Sequence, residues 1–461
     1  MIADSERIAA HVAKTRYEDL PAAAVAKVKT FLLDTIGVGI AGSSGAKVGD
    51  LATLAATWGN APEATVWPSG QRMSAGSAAM VNAYQIHCLE YDCVHEGAVL
   101  HPMATILGAV LAWAEREATK GLQISGRELI TAIALGVDVS TMLGIVTDAP
   151  IRFFRPATAG GFGAAAAIAR LSNMHTQGVL DTLGAQYSQA SGTLQPHAEG
   201  SPMLGMQVGF NARAAIISAD LAAAGFRGPH DIFTGQYGYL ALFEQDSHNL
   251  PTFLNSLGKD WQILHVSHKP YPSGRLTHGV VDGLQRLMFS HGFRPADIAS
   301  IRADVPPLVH RLVGRADIPN PEPNYAKLCL RFVAGTYLAK GKVDVANFRG
   351  DALADPLTHH FASRVDVILD SNTDQNALDP QVISVTLGTG EMHSITLPHV
   401  YGHPTVPLTQ QENEAKFLRC LTYAVGNISM KKAEAMIETI AQLEDLPDIT
   451  SIIPLALADL P

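Results

Sequence analysis

The sequence predicts a mainly α fold: a large all-helical domain plus a smaller α+β lid domain inserted before the C-terminal helices. Apolar residues recur at helical spacing from the N-terminus to about Asp260. Several later segments alternate apolar and polar residues with a period of two, which is typical of strands, and the helical pattern returns after Pro407. A chain of 461 residues is too long for one ordinary core. We therefore predict a helical domain at residues 1–265 and 408–461 and an α+β domain at residues 266–407.

Helix signals follow one another through the first part of the chain. The first long helix is predicted to begin at Pro21, which suits a first helical turn, and to end in glycines. Asp34 lies inside its apolar part, and we expect this carboxylate to cap or contact a neighbouring helix. Ser125 is a predicted helix cap. The same spacing predicts further helices in SAGSAAMVNAYQIHCL, MATILGAVLAWAE, GFGAAAAIARL, HTQGVLDTLGAQYSQASG and GMQVGFNARAAIISADLAAAGF.

The α+β part begins with a short strand, a proline-rich turn and a helix in ILHVSHKPYPSGRLTHGVVDGLQRLM. Strands are predicted in ADIASIRADVPP, SRVDVILD and QVISVTLGTGEMHSITL. Gly388 to Gly390 lie between two strand patterns and predict a hairpin turn, since the helix required by a dinucleotide-binding loop does not follow. Thr409 and Glu412 form a capping-box pattern that predicts the first C-terminal helix.

The overall composition restricts the partners of this protein. Hydrophobic residues make up 47% of the chain and charged residues 16%, and small residues are abundant, which favours closely packed helices and subunit contact. With 33 Lys and Arg against 43 Asp and Glu, the net charge is −10. Such a charge provides no basic stripe to neutralise phosphates, so we expect no nucleic-acid partner.

Cysteine usage and hydropathy indicate a cytoplasmic protein that is not embedded in a membrane. The four cysteines show no C-x-x-C spacing, which favours a reducing compartment. The N-terminal residues lack the apolar centre of a signal peptide. One uncharged run, Gly97 to Ala114, is long enough to raise the question of a membrane span. Because it contains His101 and Pro102 near its start, we interpret it as a buried helix.

The leading candidate for a functional site is the stretch from Asn82 to Pro102, between two strongly apolar segments. It concentrates titratable groups where two core helices end and begin, and such groups are costly to bury without partners or a purpose. These groups are His87, Glu90, Asp92, Cys93, His95, Glu96 and His101. The pattern allows a second interpretation, a metal-dependent hydrolase with His87, Asp92, His95 and His101 around one ion. No H-E-x-x-H or comparable signature supports it, so the prediction is that no metal is bound.

Several motifs resemble the MmgE/PrpD family, whose members include 2-methylcitrate dehydratase, cis-aconitate decarboxylase and iminodisuccinate epimerase. The resemblance covers nearly the whole chain and is carried by FLLDTIGVGIAG, GSAAMVNAYQIHCLEYD, the His101-Pro102 pair, ATAGGFGAAAA and KPYPSGRLTH. It implies a two-domain homodimer that acts on a small polycarboxylate, and the sequence shows no sign of a required cofactor.

The resemblance also implies roles for individual residues. His101 matches the catalytic histidine before proline, and Lys269 matches the lysine at the domain junction. In the family's aspartate-rich motif, Asp92 matches, Glu90 is a longer acid and Cys93 replaces an acidic residue. We therefore predict His101, Lys269 and Asp92 as catalytic residues and Glu90 as a substrate-binding residue.

Other positions depart from the family pattern. Arg155 stands at or beside the place of a histidine that dehydratase and decarboxylase members carry before the glycine-alanine helix. Leu204 stands near the place of a common lysine, and Gly274-Arg275 replaces a histidine often found after the junction lysine. These departures indicate that the chemistry of the active site has been retuned.

The residue types suit proton transfer at a carbon next to a carboxylate. An imidazole titrates near pH 6.5, so His101 suits a general base. Asp92 or Glu90 would orient it, and Lys269 would hold a carboxylate or donate a proton.

Guanidinium and hydroxyl groups are predicted to hold the substrate. Arg155 and Arg275 are natural bidentate clamps for carboxylates. Tyr271 and Ser273 would add neutral hydrogen bonds. The predicted function is a cofactor-independent lyase, of dehydratase or decarboxylase type, acting on a di- or tricarboxylate. An epimerase or isomerase of a dicarboxylate such as iminodisuccinate is the alternative, and a non-catalytic binding protein is the third possibility.

Overall fold

The structure is a computed structural model that describes residues 3–59 and 61–459. It confirms the mainly α prediction. The helices before residue 260 are Asp4–Lys14 (α1), Ala22–Gly42 (α2), Val48–Ala56 (α3), Ala75–His87 (α4), Pro102–Ala118 (α5), Gly126–Ile145 (α6), Arg155–Thr158 (α7), Gly160–Leu171 (α8), Thr176–Tyr187 (α9), Gln195–Glu199 (α10), Met203–Ala223 (α11), Tyr239–Phe243 (α12) and Leu250–Ser256 (α13). Short strands accompany them at Ala64–Thr65 (β1), Arg72–Met73 (β2), Val94–His95 (β3) and Val266–Ser267 (β4).

The core of this part is a layer of nearly fully buried helices. Helix α4 packs against α5 and α11, and α8 packs against α5 and α6. Small residues let the backbones approach closely: a Cβ added at Gly108 would lie 2.8 Å from the Cβ of Ala83 on the neighbouring helix. The small residues in these helices are therefore required for their close packing.

The end of α2 gives a sharp test of this packing. A Cβ at Gly42 would lie 1.8 Å from the backbone oxygen of Gln85, so Gly42→Ala must push α2 and α4 apart. We expect it to lower the free energy of unfolding by about 3 kcal/mol, as measured by urea denaturation. Gly49→Ala is the matched control, because a Cβ there would have no neighbour within 4 Å. Equal stabilities of the two variants would contradict this packing.

The smaller α+β part has its own hydrophobic core. Its helices are His278–His291 (α14), Pro307–Val313 (α15), Pro323–Lys327 (α16), Leu330–Lys340 (α17) and Pro356–Ala362 (α18), and its strands are Ile298–Val305 (β5), Val365–Leu369 (β6), Gln381–Leu387 (β7) and Met392–Leu397 (β8). The four strands form one sheet of order β6-β5-β7-β8. Strand β5 runs parallel to β6, and β7 and β8 form an antiparallel hairpin. The hairpin predicted around Gly388 to Gly390 is confirmed.

The C-terminal helices Gln410–Leu421 (α19) and Met430–Ala441 (α20) return to the first core. Helix α19 begins with the predicted capping box, since the backbone N–H of Glu412 donates to the Thr409 hydroxyl and the backbone N–H of Thr409 donates to the Glu412 carboxylate. Helix α19 packs on α2, where Lys416 lies 2.6 Å from Asp34, and both side chains are buried. Asp34 therefore contacts a neighbouring helix, as the sequence predicted.

Helix α6 is long and apolar enough to cross a membrane by length and composition, but 89% of its most apolar window is buried inside the protein. This is the behaviour of a core helix. The uncharged run from Gly97 to Ala114 likewise enters the core, as helix α5 from Pro102 onward.

Candidate active site

The candidate site is a loop held between two helices and one distant strand. His87 is the last residue of α4, and His101 immediately precedes Pro102, the first residue of α5. Between them, β3 pairs with β4 in antiparallel register, with Val94 opposite Ser267. This pairing carries the following segment, with Lys269, to the loop although it is far away in sequence.

Alternating acidic and basic side chains form a continuous chain of contacts in this loop. Asp92 Oδ2 lies 3.3 Å from His101 Nδ1 and 2.9 Å from His87 Nδ1. His87 Nε2 lies 3.5 Å from Glu90 Oε1, and Lys269 Nζ lies 2.8 Å from Glu90 Oε2. We call these five residues the His–acid chain. The imidazole of His101 is its most accessible member, since 13% of that side chain is exposed and Asp92 is completely buried.

The electrostatic environment shifts the pKa values of His87 and His101 in opposite directions. Burial opposes charge on His87, but Asp92 and Glu90 outweigh this effect and raise its pKa. Burial and the Lys269 charge lower the pKa of His101, and they outweigh the opposite effect of Asp92. In the His–acid chain, His101 is therefore the neutral imidazole at neutral pH, and His87, which lies behind it, is the more basic one.

Both carboxylates of the chain stay ionised despite burial. Burial alone would raise the pKa of Asp92, but His87 and His101 hold it well below its usual range. Burial acts in the same direction on Glu90, but Lys269 and the two histidines lower its pKa to about 2. Each buried negative charge therefore has a compensating partner.

Lys269 lies one layer behind the cavity wall. Its side chain is fully buried, and its ammonium also donates to the backbone oxygen of Glu90, at 3.2 Å. Its side-chain contacts lead to His101 through Glu90, His87 and Asp92, and its charge also acts on His101 across space. The structure thus joins the three predicted catalytic residues, His101, Asp92 and Lys269, in one network, with Lys269 at its inner end.

His101 and Glu90 line a cavity of about 80 Å³ that is partly open to solvent. The cavity lies where the helical part meets the α+β part: Phe154 belongs to the first, and Leu276 and Leu312 belong to the second. It is lined by Glu90, Val94, Glu96, Val99, His101, Ile151, Phe154, Pro156, Leu194, His197, Gly274, Arg275, Leu276, Leu312, Val313, Leu328 and Leu378.

Two cavity residues have strained backbones. Glu90 and Val99 have φ angles of 53° and 52°, in the left-handed region that residues with a Cβ rarely adopt. For the β-branched Val99 the strain is largest. Strain of this kind persists where the surrounding structure fixes it, and it is concentrated at functional sites.

Arg155 does not face the cavity. Its guanidinium donates to both carboxylate oxygens of Glu244, at 2.9 and 2.8 Å, and to the backbone oxygen of Ala98, at 3.1 Å. Arg155 is buried, and burial raises the pKa of Glu244. The neighbours Phe154 and Pro156 line the cavity. The position predicted to clamp a carboxylate thus holds an internal ion pair that supports the wall.

Arg275 does line the cavity, but its donors are already engaged. Its Nε donates to Glu96 Oε1 at 2.9 Å, and its terminal nitrogens donate to the backbone oxygens of Tyr401 and Val400, at 2.6 and 2.9 Å. The charge of Arg275 is therefore balanced by Glu96 within the wall.

Tyr271 and Ser273 also lie outside the cavity lining. The Tyr271 hydroxyl donates to Gln285 at 2.9 Å, and Ser273 forms a hydrogen bond with Thr277 at 2.9 Å. Both side chains fix the turn that carries Lys269. The structure thus places Glu90, His101 and Arg275 in the cavity wall, with Asp92 and Lys269 buried directly behind it. Arg155, Tyr271 and Ser273 lie outside the lining.

The sequence interpretation missed three contributors. His87 was named in the candidate stretch but was given no catalytic or substrate-binding role, yet it connects Asp92 to Glu90. His197 of α10 lines the cavity, and burial together with Arg315 lowers its pKa to about 4; it stands in no recognisable motif. Lys416 donates to the backbone oxygen of Tyr91 at 2.9 Å and so ties the loop to α19. The only sequence signal for Lys416 was its position in an amphipathic helix.

Three of the four proposed metal ligands lie close together. Ligand atoms of His87, Asp92 and His101 are within 4.8 Å of one another, so this trio has donors for a transition metal. His95 is turned elsewhere: its Nε2 lies 3.3 Å from Gln262, and its Nδ1 accepts from the backbone N–H of Ala98. The four-ligand arrangement imagined from the sequence is not formed.

Comparisons with known proteins agree over both parts of the chain. The MmgE/PrpD N-terminal domain matches residues 6–250, and the MmgE/PrpD C-terminal domain matches residues 271–443. The cis-aconitate decarboxylase of Homo sapiens is 26% identical over 441 residues, which cover 92% of this chain and 88% of the relative. A cis-aconitate decarboxylase-like protein of Aspergillus oryzae is 24% identical, with 97% and 96% covered. The cis-aconitate decarboxylase of Mus musculus is 24% identical, with 92% and 87% covered.

Proposed function

The chain belongs to the MmgE/PrpD family and is a lyase, and we propose that it transfers a proton, without a cofactor, at a carbon next to a carboxylate of a small di- or tricarboxylate. The observation that carries this proposal is the His–acid chain, whose outer end places the His101 imidazole at a cavity, 3.3 Å from Asp92. The names of the relatives support a tricarboxylate of the aconitate type as the starting point.

In the proposed reaction His101 is the group that exchanges a proton with the substrate. A neutral imidazole accepts a proton from the carbon, and the resulting imidazolium is stabilised by Asp92 at 3.3 Å. In a dehydration, the electron pair on carbon expels hydroxide, which takes the proton of the imidazolium and leaves as water. In a decarboxylation, His101 first takes a proton from solvent, loss of carbon dioxide leaves an electron pair on carbon, and the imidazolium donates its proton to that carbon.

The remaining residues are proposed to set charge and position. Lys269 keeps Glu90 ionised, and Glu90 and His87 fix the imidazole pair. Arg275 is the guanidinium at the cavity and would receive a carboxylate when its pairing with Glu96 loosens. Arg155 supports the wall through Glu244.

A panel of citrate, cis-aconitate and related diacids tests the proposal. We expect one of them to lose water or carbon dioxide, as detected by mass spectrometry of the products. Interconversion of stereoisomers without any loss of mass would instead identify an epimerase. Metal content, measured on the same protein, tests the His87, Asp92 and His101 trio: turnover that vanishes with removal of a stoichiometric ion would contradict cofactor independence.

The pH dependence follows from the lowered pKa of His101. A base must be deprotonated, so we expect kcat/KM to fall on acidification with a midpoint below the ordinary histidine value of about 6.5. Asp92→Asn removes a charge that raises this pKa, and we expect the midpoint to move lower still. A rate that rises on acidification would assign His101 the role of an acid in the rate-limiting step.

The domain boundaries and the lid are part of the proposal. Two separate hydrophobic cores support a division into residues 1–265 with 408–461, and 266–407. The cavity lies between them, so a movement of the smaller domain would open and close it. The four cysteines are free and buried, which supports the predicted reducing, cytoplasmic environment.

We also propose a homodimer, supported by an exposed apolar stripe on α11. Met203, Phe210 and Ile217 are 44%, 39% and 37% exposed, and their seven-residue spacing places them on one face. We expect Phe210→Glu to shift the protein towards the monomer in sedimentation velocity. Phe289→Glu, at a 92% exposed position of α14 in the smaller domain, is the control. A dimer that is unaffected by Phe210→Glu would place the interface elsewhere.

A further inference from the structure

Most of the cavity wall is apolar. Its polar members are confined to Glu90, Glu96, His101, His197 and Arg275. The other side chains that line it are aliphatic or aromatic, or proline: Val94, Val99, Ile151, Phe154, Pro156, Leu194, Leu276, Leu312, Val313, Leu328 and Leu378. An unsubstituted triacid is polar on almost every atom, so it would leave this wall without a matching surface.

The charges around the cavity lead to the same conclusion. Among the described residues that line it, Arg275 is the only Arg or Lys, and Glu96 neutralises it at 2.9 Å. Behind the wall, Lys269 is neutralised by Glu90 and Arg155 by Glu244, both at 2.8 Å. Carboxylates buried without a free cation are strongly disfavoured. The cavity can therefore accept carboxylates at its polar end, near His101 and Arg275, but it cannot surround a small polyanion with charge.

We propose that the substrate is a di- or tricarboxylate that carries an alkyl chain of several carbons, and that the apolar part of the cavity is the subsite for this chain. The inference rests on the proposed function, because His101 fixes the end at which the reacting carbon lies. The carboxylates then remain near the polar residues, and the chain extends between the two domains.

Leu194 and Leu312 are the best positions to test this subsite. Leu194 lies just before α10 and packs against the helical core, whereas Leu312 lies in α15 and packs against the core of the smaller domain. Both are only partly buried. Replacement by glutamine keeps the approximate size of the side chain and makes the wall polar, and because both positions are only partly buried we expect the fold of each domain to be preserved.

The experiment compares kcat/KM for citrate and cis-aconitate with derivatives that carry methyl, propyl or pentyl groups on a methylene carbon. If the alkyl chain of the substrate is buried in the cavity, we expect kcat/KM to increase by about fourfold per added methylene. This factor corresponds to the free energy of transferring one methylene out of water. Leu194→Gln and Leu312→Gln should flatten this dependence on chain length. Leu54→Gln, at an exposed position of α3, should leave it unchanged.

The outcomes separate this inference from the proposed function. Turnover of the unsubstituted acids with no gain, or a loss, for the alkylated ones would overturn the alkyl subsite and leave the lyase proposal standing. A gain with chain length that persists unchanged in both glutamine variants would also overturn the assigned subsite. No turnover of any acid in the series would overturn the proposed function and the inference with it.

Discussion

Replacing His101 with asparagine is expected to lower kcat by about a thousandfold, within the range of 10²–10⁴ typical for loss of a general acid or base. Asparagine keeps a side-chain donor close to Asp92, so the loop should retain its fold, but it cannot exchange a proton with carbon. The measurement is steady-state turnover of the best acid in the panel, together with the urea unfolding curve of the variant.

The matched control is His265→Asn. His265 also lies beside a carboxylate, Asp260 at 2.7 Å, but it is half exposed and lies outside the cavity lining. We expect normal turnover from this variant. A His101→Asn enzyme that retains a rate within a few-fold of the original would remove His101 from the reaction.

Replacing Lys269 with methionine is expected to lower both stability and activity. The substitution leaves Glu90 buried without its cation, 2.8 Å away in the original protein. Loss of one partner of a buried pair typically lowers the free energy of unfolding by about 3–5 kcal/mol. Without this cation the pKa of Glu90 must rise. The alternation of positive and negative groups in the His–acid chain is then lost. Urea unfolding and turnover are measured on the same preparation.

A double variant separates the two effects. Lys269→Met combined with Glu90→Gln removes both charges, and we expect it to recover most of the lost stability. Turnover should remain at least about a hundredfold below normal, because the chain that sets the protonation of His101 is not restored. A double variant with both stability and activity near normal would show that the pair has only a structural role.

Much of the fold was predictable because its signals are local. Helix caps at Ser125 and Thr409 depend on residues three positions apart, and both are confirmed. The period-two segments form the strands of the smaller domain, and β7 shows the reason most clearly, since every second residue from Gln381 to Leu387 is buried. The loop at the centre of the site was marked by titratable residues between two apolar helices.

The ion pairs that determine whether an arginine is free to bind substrate were not predictable from the sequence. Arg155 and Glu244 are 89 residues apart, and Arg275 and Glu96 are 179 residues apart. A single sequence does not reveal which acid neutralises which guanidinium, so both arginines were predicted to be free for substrate. The apolar nature of the cavity was hidden for the same reason, because its leucines come from separate elements of two domains.

Turnover in deuterated water tests the central claim most directly. If His101 exchanges a proton with the carbon next to a carboxylate, proton NMR should show solvent deuterium at that carbon in the product of a decarboxylation, or in the acid formed by the reverse hydration when the reaction is a dehydration, and His101→Asn should abolish it. The absence of deuterium at that carbon in the decarboxylated or rehydrated acid, or equal incorporation by His101→Asn, would contradict the account.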